Sequence, residues 1–262
     1  MSTEKLYEQR IKQLETELLN TTDTLTRYKK EHDEFILIAS HDLQAPLRKL
    51  STFVERLTGK IKDLPGETKT YAERIQSAVT NMRSLVDGLG TLSEVTEATK
   101  NFQECDLKVL VQIVLNDIQP ADNVSISCSS LPVIEGNGTQ LKHLFRNVID
   151  NSIKFQKKDS PLQININSGE ITEEEKKIYD LPPNKTYHKI EISDNGIGFE
   201  DQYSEKIFQP FQRLHGKSEY EGNGLGLAIC KKITEKHKGI IYAKGDKEKG
   251  ARFILILPEI SD

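Results

Sequence analysis

The chain has 262 residues, of which 29% are charged and 36% hydrophobic, with a net charge of −4 and a pI near 6.0. This length suits one large domain or two ordinary ones, and the acidic balance provides no basic field that would attract nucleic acid or an anionic membrane. No apolar stretch approaches the ~20 residues that a membrane-spanning helix needs, and the amino terminus does not read as a signal peptide. We therefore expect a cytoplasmic protein without a membrane segment. Its odd number of cysteines predicts reduced structural thiols: Cys105, Cys128 and Cys230.

Residues 1–34 predict a coiled-coil helix. Their apolar positions alternate in steps of four and three, which is typical of an a/d seam: Tyr7, Ile11, Leu14, Leu18, Thr21, Leu25, Tyr28, His32 and Phe35. Two polar members weaken this seam, and the alternative is a charged helix that packs on its own domain. The chain is expected to begin inside a linker helix, with a sensor domain missing upstream.

Residues 35–95 predict a helical hairpin. A second apolar stripe starts at Ile36, one residue out of register with the first: Ile36, Ser40, Leu43, Leu47, Leu50, Val54 and Leu57. A break at Leu64-Pro65-Gly66-Glu67 separates it from a third stripe: Tyr71, Ile75, Ala78, Met82, Leu85, Leu89 and Leu92, with Val79 and Val86 alongside. One hairpin cannot cover such wide apolar faces. We therefore predict a homodimer built on a four-helix bundle.

The rest of the chain predicts a second domain of mixed structure. Residues 96–105 are polar and aperiodic and are interpreted as a linker. Residues 106–260 alternate helices with strands, which favours a two-layer α/β sandwich. The helices are expected at 106–119, around Asn147, and at 226–237; the strands are expected at Val124–Cys128, Leu162–Ile166, Tyr187–Ser193, Gly239–Ala243 and Arg252–Leu257. Residues 172–185 are interpreted as a surface insertion between two strands.

The first motif that suggests chemistry is Ile38-Ala-Ser-His41-Asp42-Leu-Gln-Ala-Pro46. His41 follows a stripe position, so it is expected at the edge of the apolar face, partly exposed. Pro46 is expected to bend the helix just past it. The carboxylate of Asp42 can accept the Nδ1 proton and leave Nε2 as a nucleophile. Taken alone, a satisfied surface histidine would be the better interpretation.

The second motif is Asn147-Val-Ile-Asp-Asn151-Ser-Ile-Lys154-Phe155. Its apolar residues follow helical spacing, and His143, Asn147, Asn151 and Lys154 fall on the adjacent face. Two carboxamides and an ammonium suit a hydrated Mg²⁺ that bridges phosphates. A solvated polar face is the alternative, but asparagine is disfavoured in helix interiors.

Three further motifs suit a nucleotide. Asp194-Asn-Gly196-Ile-Gly198-Phe199 follows an alternating strand, although alone it is as often an ordinary turn. Gly222-Asn-Gly224-Leu225-Gly226 precedes an apolar helix, whose free amides and positive end suit polyphosphate. Phe208-Gln-Pro-Phe211-Gln-Arg213 lies between them, and a lid helix without chemical role is an equally good interpretation of Phe208.

Together, in this order, the five motifs resemble the H, N, G1, F and G2 boxes of bacterial sensor histidine kinases, and the resemblance covers roughly residues 32–258. It implies a dimeric helical hairpin followed by an ATP-binding domain of the histidine kinase, Hsp90 and gyrase type. It further implies that ATP phosphorylates His41 and that a response-regulator receiver domain takes the phosphoryl group. The resemblance assigns Asn151 as catalytic and as the Mg²⁺ ligand, Asn147 to phosphate or the metal's water, and Asp194 to adenine. Lys154, Phe155, Gly196, Gly198, Phe211, Arg213, Gly222, Gly224, Leu225 and Gly226 complete the expected nucleotide site.

Two positions depart from that family pattern. Many relatives carry Thr or Asn where this chain has Ala45. In those relatives the Thr or Asn side chain is thought to orient the water that removes phosphate from the partner. We therefore expect a net kinase with little phosphatase activity. Asn223 stands where Thr or Ser is usual, which is a mild change because the polarity is kept.

Two other functions stay open. One is an ATPase of the same nucleotide fold, which would not need a histidine helix upstream and typically activates water with a glutamate. The other is a pseudokinase scaffold that binds nucleotide without catalysis; the polar positions expected for catalysis are filled, which argues against it.

Overall fold

The computed structural model describes residues 3–60, 66–97, 102–214, 220 and 222–259. Helix α1 spans Thr3–Lys60 and continues through Pro46, and helix α2 spans Gly66–Glu97. The predicted helix break therefore lies where α1 ends and α2 begins, with residues 61–65 outside the described ones. The bend expected near Pro46 stays a prediction.

The two helices pack through small and branched residues that recur every seven positions on α2. The buried set comprises Ser40 and Leu47 on α1, and Ala72, Val79, Val86 and Ser93 on α2. Val79 and Val86, which the sequence placed beside the main stripe, thus form the inner seam of the hairpin. Small side chains favour this seam because they let the helix axes approach closely.

Much of the remaining apolar stripe of both helices is exposed in the single chain. Leu43, Leu50, Leu57, Tyr71, Ile75 and Met82 have exposed fractions of 43–61%, and the amino-terminal seam residues Tyr7, Ile11, Leu14, Leu18, Leu25, Tyr28 and Phe35 have fractions of 48–70%. So large an apolar surface is typical of an interface with another chain.

The second domain is a five-stranded mixed sheet with helices packed on it. The sheet has the order β2-β4-β5-β7-β6, with β2 parallel to β4 and the other pairs antiparallel. The strands are β1 Gln103–Asp106, β2 Val124–Cys128, β3 Val133–Gly136, β4 Leu162–Glu170, β5 Tyr187–Asp194, β6 Ile240–Asp246 and β7 Gly250–Pro258; the helices are α3 Leu107–Ile118, α4 Gly138–Lys154, α5 Glu173–Ile178 and α6 Gly226–Lys236. The predicted fold class is confirmed.

The predicted linker at 96–105 is wrong in its second half. Helix α2 continues to Glu97, and Gln103–Asp106 forms strand β1, which pairs antiparallel with β3. Neither four-residue strand has enough length to show a period in the sequence. Asp106 also caps α3 by accepting hydrogen bonds from the backbone amides of Lys108 and Val109, so that helix begins one residue later than predicted.

Helix α4 has one fully buried face and one polar face. Leu141, Leu144, Phe145, Val148 and Ile149 have no exposed surface, and burying a side chain of this size contributes about 1.5–3 kcal/mol. This packing fixes the rotation of α4 and therefore the direction in which its polar residues face. The predicted insertion at 172–185 does lie between β4 and β5, and it contains α5, which begins with a capping box of Thr172 and Glu175.

Candidate active site

The polar face of α4, the end of β5 and the start of α6 surround a cavity of about 520 Å³. Ten residues that the sequence assigned to a nucleotide line it: Asn147, Asn151, Lys154, Phe155, Asp194, Gly198, Arg213, Gly222, Gly224 and Gly226. The tertiary fold therefore brings residues of four motifs, N, G1, F and G2, together around one space.

Asn147 lies at the contact between α4 and α6. Its Oδ1 approaches Gly226 so closely that a Cβ added to that glycine would be 3.3 Å away. Its buried Nδ2 has no hydrogen-bond partner among the described residues beyond a weak interaction with the Cys230 thiol. A buried amide donor without a good acceptor is costly, and a ligand with an acceptor at this place would remove that cost.

Lys154 connects α4 to the glycine loop. Its Nζ lies 4.5 Å from the centroid of the Phe155 ring and would be 2.6 Å from a Cβ at Gly222. The ammonium thus faces the loop whose amides precede α6. A cation at this place, together with the amino-terminal end of a helix, favours phosphate.

Asp194, the last residue of β5, is held by three hydrogen bonds. Its Oδ1 accepts from the backbone amides of Gly196 (2.9 Å) and Ala251 (3.2 Å), and its Oδ2 accepts from the Ser152 hydroxyl (3.0 Å). Burial raises the pKa of this carboxyl, and the three hydrogen bonds oppose that shift. The side chain is therefore fixed in one orientation, with Oδ2 the less occupied acceptor.

The two glycines after Asp194 act through the backbone. Gly198 has φ of +63°, and a Cβ there would lie 2.1 Å from the carbonyl oxygen of Asp246. A Cβ at Gly196, which does not line the cavity, would lie 2.6 Å from the carbonyl oxygen of Phe155. Only glycine fits such approaches, so this turn is pressed against both the end of α4 and the β6–β7 turn.

The F-motif aromatics occupy different environments. Phe208 is buried in the domain core, whereas Phe211 is 56% exposed, has φ of +63° and does not line the cavity. Arg213 does line it and donates to the carbonyl oxygen of Tyr220 (2.6 Å). The Tyr220 ring lies 4.9 Å from that of Phe155, so these two aromatics form part of the cavity wall.

The G2 motif begins the last helix of the domain. Leu225 is fully buried and does not line the cavity. Its backbone amide donates to Oδ1 of Asn223 at 3.0 Å. Gly222 and Gly224 have φ of +140° and +72°, so the loop bends in a way that most residues avoid.

His41 and Asp42 lie on α1, outside this cavity. Their side chains are 82% and 75% exposed, with Nδ1 of His41 3.4 Å from Oδ1 of Asp42. The exposure leaves Nε2 accessible. The neighbouring carboxylate is on the Nδ1 side, as the sequence predicts.

Sequence reasoning missed several lining residues. Ser84, Asp87, Gly88 and Thr91 come from hairpin helix α2, and Tyr220 comes from the segment before the glycine loop. Gly88, a glycine within helix α2, was the one local feature of the sequence that could have indicated that these α2 residues lie at the site. Nothing in the sequence near Tyr220 distinguishes it.

The residues present fit a nucleotide with its divalent cation. Among the described residues no group of three His, Cys, Asp or Glu side chains is placed to hold a metal by itself. The amide oxygens of α4 are the kind of hard ligand that Mg²⁺ takes when phosphates supply the rest of its shell. The unsatisfied Asn147 nitrogen suits a phosphate oxygen.

Comparison with known proteins gives two family matches. Residues 31–98 match the His Kinase A (phospho-acceptor) domain, and residues 136–261 match the histidine kinase-, DNA gyrase B- and HSP90-like ATPase family. Cyanobacterial phytochrome A of Nostoc sp. is 32% identical over 92% of this chain and 30% of its own length. Sensor protein kinase WalK of Staphylococcus haemolyticus is 24% identical over 88% of the chain and 37% of its own length.

The structure of full-length ShkA in complex with AMPPNP is similar in fold, with a TM-score of 0.63 at 20% identity over 86% of this chain and 45% of that one. The chain spans about a third of the length of these two curated relatives. Within its described helices, none is long and apolar enough to cross a bilayer.

Proposed function

Since the chain belongs to the sensor histidine kinases of two-component systems, we propose that it autophosphorylates His41 with ATP and passes the phosphoryl group to an aspartate of a receiver domain. The observation that supports this most is the cavity itself. Motif residues that are distant in the sequence meet there, and its wall continues onto the hairpin that carries the histidine.

The proposed reaction is an in-line displacement on the γ-phosphate. Nε2 of His41 attacks phosphorus while the bond to the β,γ-bridging oxygen breaks, which leaves ADP. Asp42 accepts a hydrogen bond from Nδ1–H and so stabilises the imidazolium that forms. Such a transfer depends chiefly on positioning and charge neutralisation.

The other predicted residues bind and orient the nucleotide. Asp194 accepts a hydrogen bond from the adenine amino group, and Phe155 contacts the ring. Lys154, Arg213 and the amides of the glycine loop neutralise the phosphates. Asn147 supplies its unpartnered amide to a phosphate oxygen or to a metal-bound water.

We assign Asn151 as the protein ligand of Mg²⁺. The ion would supply positive charge against the β- and γ-phosphate oxygens. Because Asn151 lies one helical turn beyond Asn147 on the same polar face, a cation there would be close to the phosphates that the glycine loop binds.

An ATPase that releases phosphate to water is the second candidate. Enzymes of that kind typically use a glutamate, and no glutamate is found among the described residues that line the cavity. A pseudokinase would bind nucleotide and transfer nothing.

Labelled ATP separates these functions. The kinase predicts label on the protein that is lost in acid and stable in alkali, and that disappears in His41→Gln. His32→Gln is the matched control, because His32 is also exposed on α1 and is also followed by an aspartate. Free phosphate without labelled protein would identify an ATPase. Bound nucleotide with neither product would identify a pseudokinase.

We further propose that the active form is a homodimer in the cytoplasm. The exposed apolar stripes of α1 and α2 would cover each other in a four-helix bundle. The receiver partner would dock near His41, whose side chain is accessible.

A further inference from the structure

The cavity is completed by a helix outside the ATP-binding domain. Ser84, Asp87, Gly88 and Thr91 of α2 line it, at the spacing that places residues on one face of a helix. A nucleotide held by the N and G2 motifs would therefore occupy a cavity that helix α2 of the hairpin partly encloses.

Asn223 joins the glycine loop to this helix face. Its Nδ2 donates to the backbone oxygen of Ser84 (2.8 Å) and lies 3.2 Å from the Ser84 hydroxyl, while its Oδ1 accepts from the amide of Leu225 (3.0 Å). One side chain thus holds the turn that leads into α6 and bonds to α2 at once. A serine or threonine hydroxyl could still accept from the Leu225 amide but has no amide group to reach α2.

Gly88 makes the second contact at this place. A Cβ on Gly88 would be 2.7 Å from Cδ1 of Leu225, and Leu225 is fully buried, so it has little room to move. Glycine is disfavoured inside helices, so the glycine at position 88 of α2 requires a structural explanation. Close packing against the glycine loop provides one.

The same face also connects to α1. The Asp87 carboxylate accepts a hydrogen bond from the Gln44 side chain at 2.9 Å, and Gln44 lies about one turn of helix after His41. A change at the cavity wall therefore has a direct side-chain route to the helix that carries the phosphate acceptor.

We propose that helix α2 is part of the nucleotide site and that Asn223 is a positioning residue which links nucleotide binding to the hairpin. We call Ser84, Gly88, Asn223 and Leu225 the α2 junction. The proposal deepens the proposed function, because it requires that the cavity binds a nucleotide. By linkage, a ligand that tightens the junction is itself bound more tightly when the junction is intact.

The test uses the full chain, with ADP and Mg²⁺ as the probe. Hydrogen exchange of α2 residues 84–91 and the ADP dissociation constant are measured in wild type, Asn223→Ser and Gly88→Ala. Gly90→Ala is the matched control, because it is the same change two residues along α2 and its Cβ would only reach Ser40 at 3.7 Å. Native exchange in β5 and β7 verifies that each variant is folded.

We expect ADP to slow exchange in residues 84–91 of wild type and Gly90→Ala, and to leave it unchanged in the other two variants. We also expect these two to bind ADP about three- to tenfold more weakly. Asn223→Ser loses the hydrogen bonds to Ser84, and the added Cβ in Gly88→Ala displaces Leu225 from its contact with α2. The proposal would be overturned if Gly88→Ala and Gly90→Ala had equal dissociation constants for ADP. It would also be overturned if ADP did not change the hydrogen exchange of residues 84–91 in wild type. Neither readout needs phosphotransfer; failure of wild type to bind ADP would instead contradict the proposed function.

Discussion

Replacing Asp194 by asparagine separates its binding role from its structural role. In Asp194→Asn, Oδ1 still accepts from the amides of Gly196 and Ala251. The new amide nitrogen faces the Ser152 hydroxyl, which can accept from it while donating to the carbonyl oxygen of Val148. The local hydrogen bonds are therefore kept, and the fold should lose little stability.

The nucleotide, however, loses its acceptor. A hydrogen bond to a charged group is worth about 1.5–3 kcal/mol, so the affinity for ADP should fall roughly 10- to 150-fold. Because an amide can donate to the O6 atom of guanine, the preference for adenine over guanine nucleotides should narrow as well. Asp194→Ala should lose binding too, but it leaves the amides of Gly196 and Ala251 without their acceptor and should also lower the free energy of unfolding by about 2 kcal/mol or more.

Titration calorimetry with ADP and GDP measures the first effect, and urea unfolding measures the second. Asp117→Asn is the control, since it removes a surface carboxylate that pairs with Lys142 outside the cavity. The reasoning is refuted if Asp194→Asn binds ADP within about twofold of wild type.

Three other predictions concern stability, assembly and activity. Burial lowers the pKa of His237, whose Nε2 accepts from the amide of Asn137. The contribution of this neutral imidazole to the free energy of unfolding is complete above the unfolded pKa of about 6.5 and is lost as pH falls through the lower folded pKa. Urea midpoints between pH 7.5 and 5 should therefore drop less in His237→Gln than in wild type, and equal drops would contradict this. Leu50→Glu places a charge on an exposed stripe residue and should give monomers by light scattering, whereas Glu55→Lys on the exposed part of the same helix should not. Ala45→Thr should accelerate loss of phosphate from a labelled receiver, and an unchanged rate would remove Ala45 as the cause of weak phosphatase activity.

The register change between the apolar stripes at Phe35 and Ile36 leads to a prediction about how a signal passes from the coiled coil to the hairpin. Insertion of one or two residues before Phe35 should switch autophosphorylation, because it rotates the coiled-coil stripe relative to the hairpin stripe. Equal activity across such a series would rule out this route.

Local patterns in the sequence were enough for the order of the elements and for most of the site. The period of the apolar residues identified α4 and its buried face, and the same pattern fixed Asn147 and Asn151 on the other face. Strands β1 and β3 were not predicted, because a strand of four residues shows no reliable period of apolar residues. Phe211 was assigned to the site from its motif, but the structure places it outside the cavity wall.

The sequence by itself determined which chemical groups this protein possesses and the helices and strands on which they lie, because backbone preference and apolar spacing act over a few residues. Tertiary structure alone decided that Val79 and Val86 pack inside the hairpin and that α2 closes the cavity. Asn223 and Ser84 are 139 residues apart, and their hydrogen bond depends on how two complete domains pack together. No short stretch of either domain contains that information.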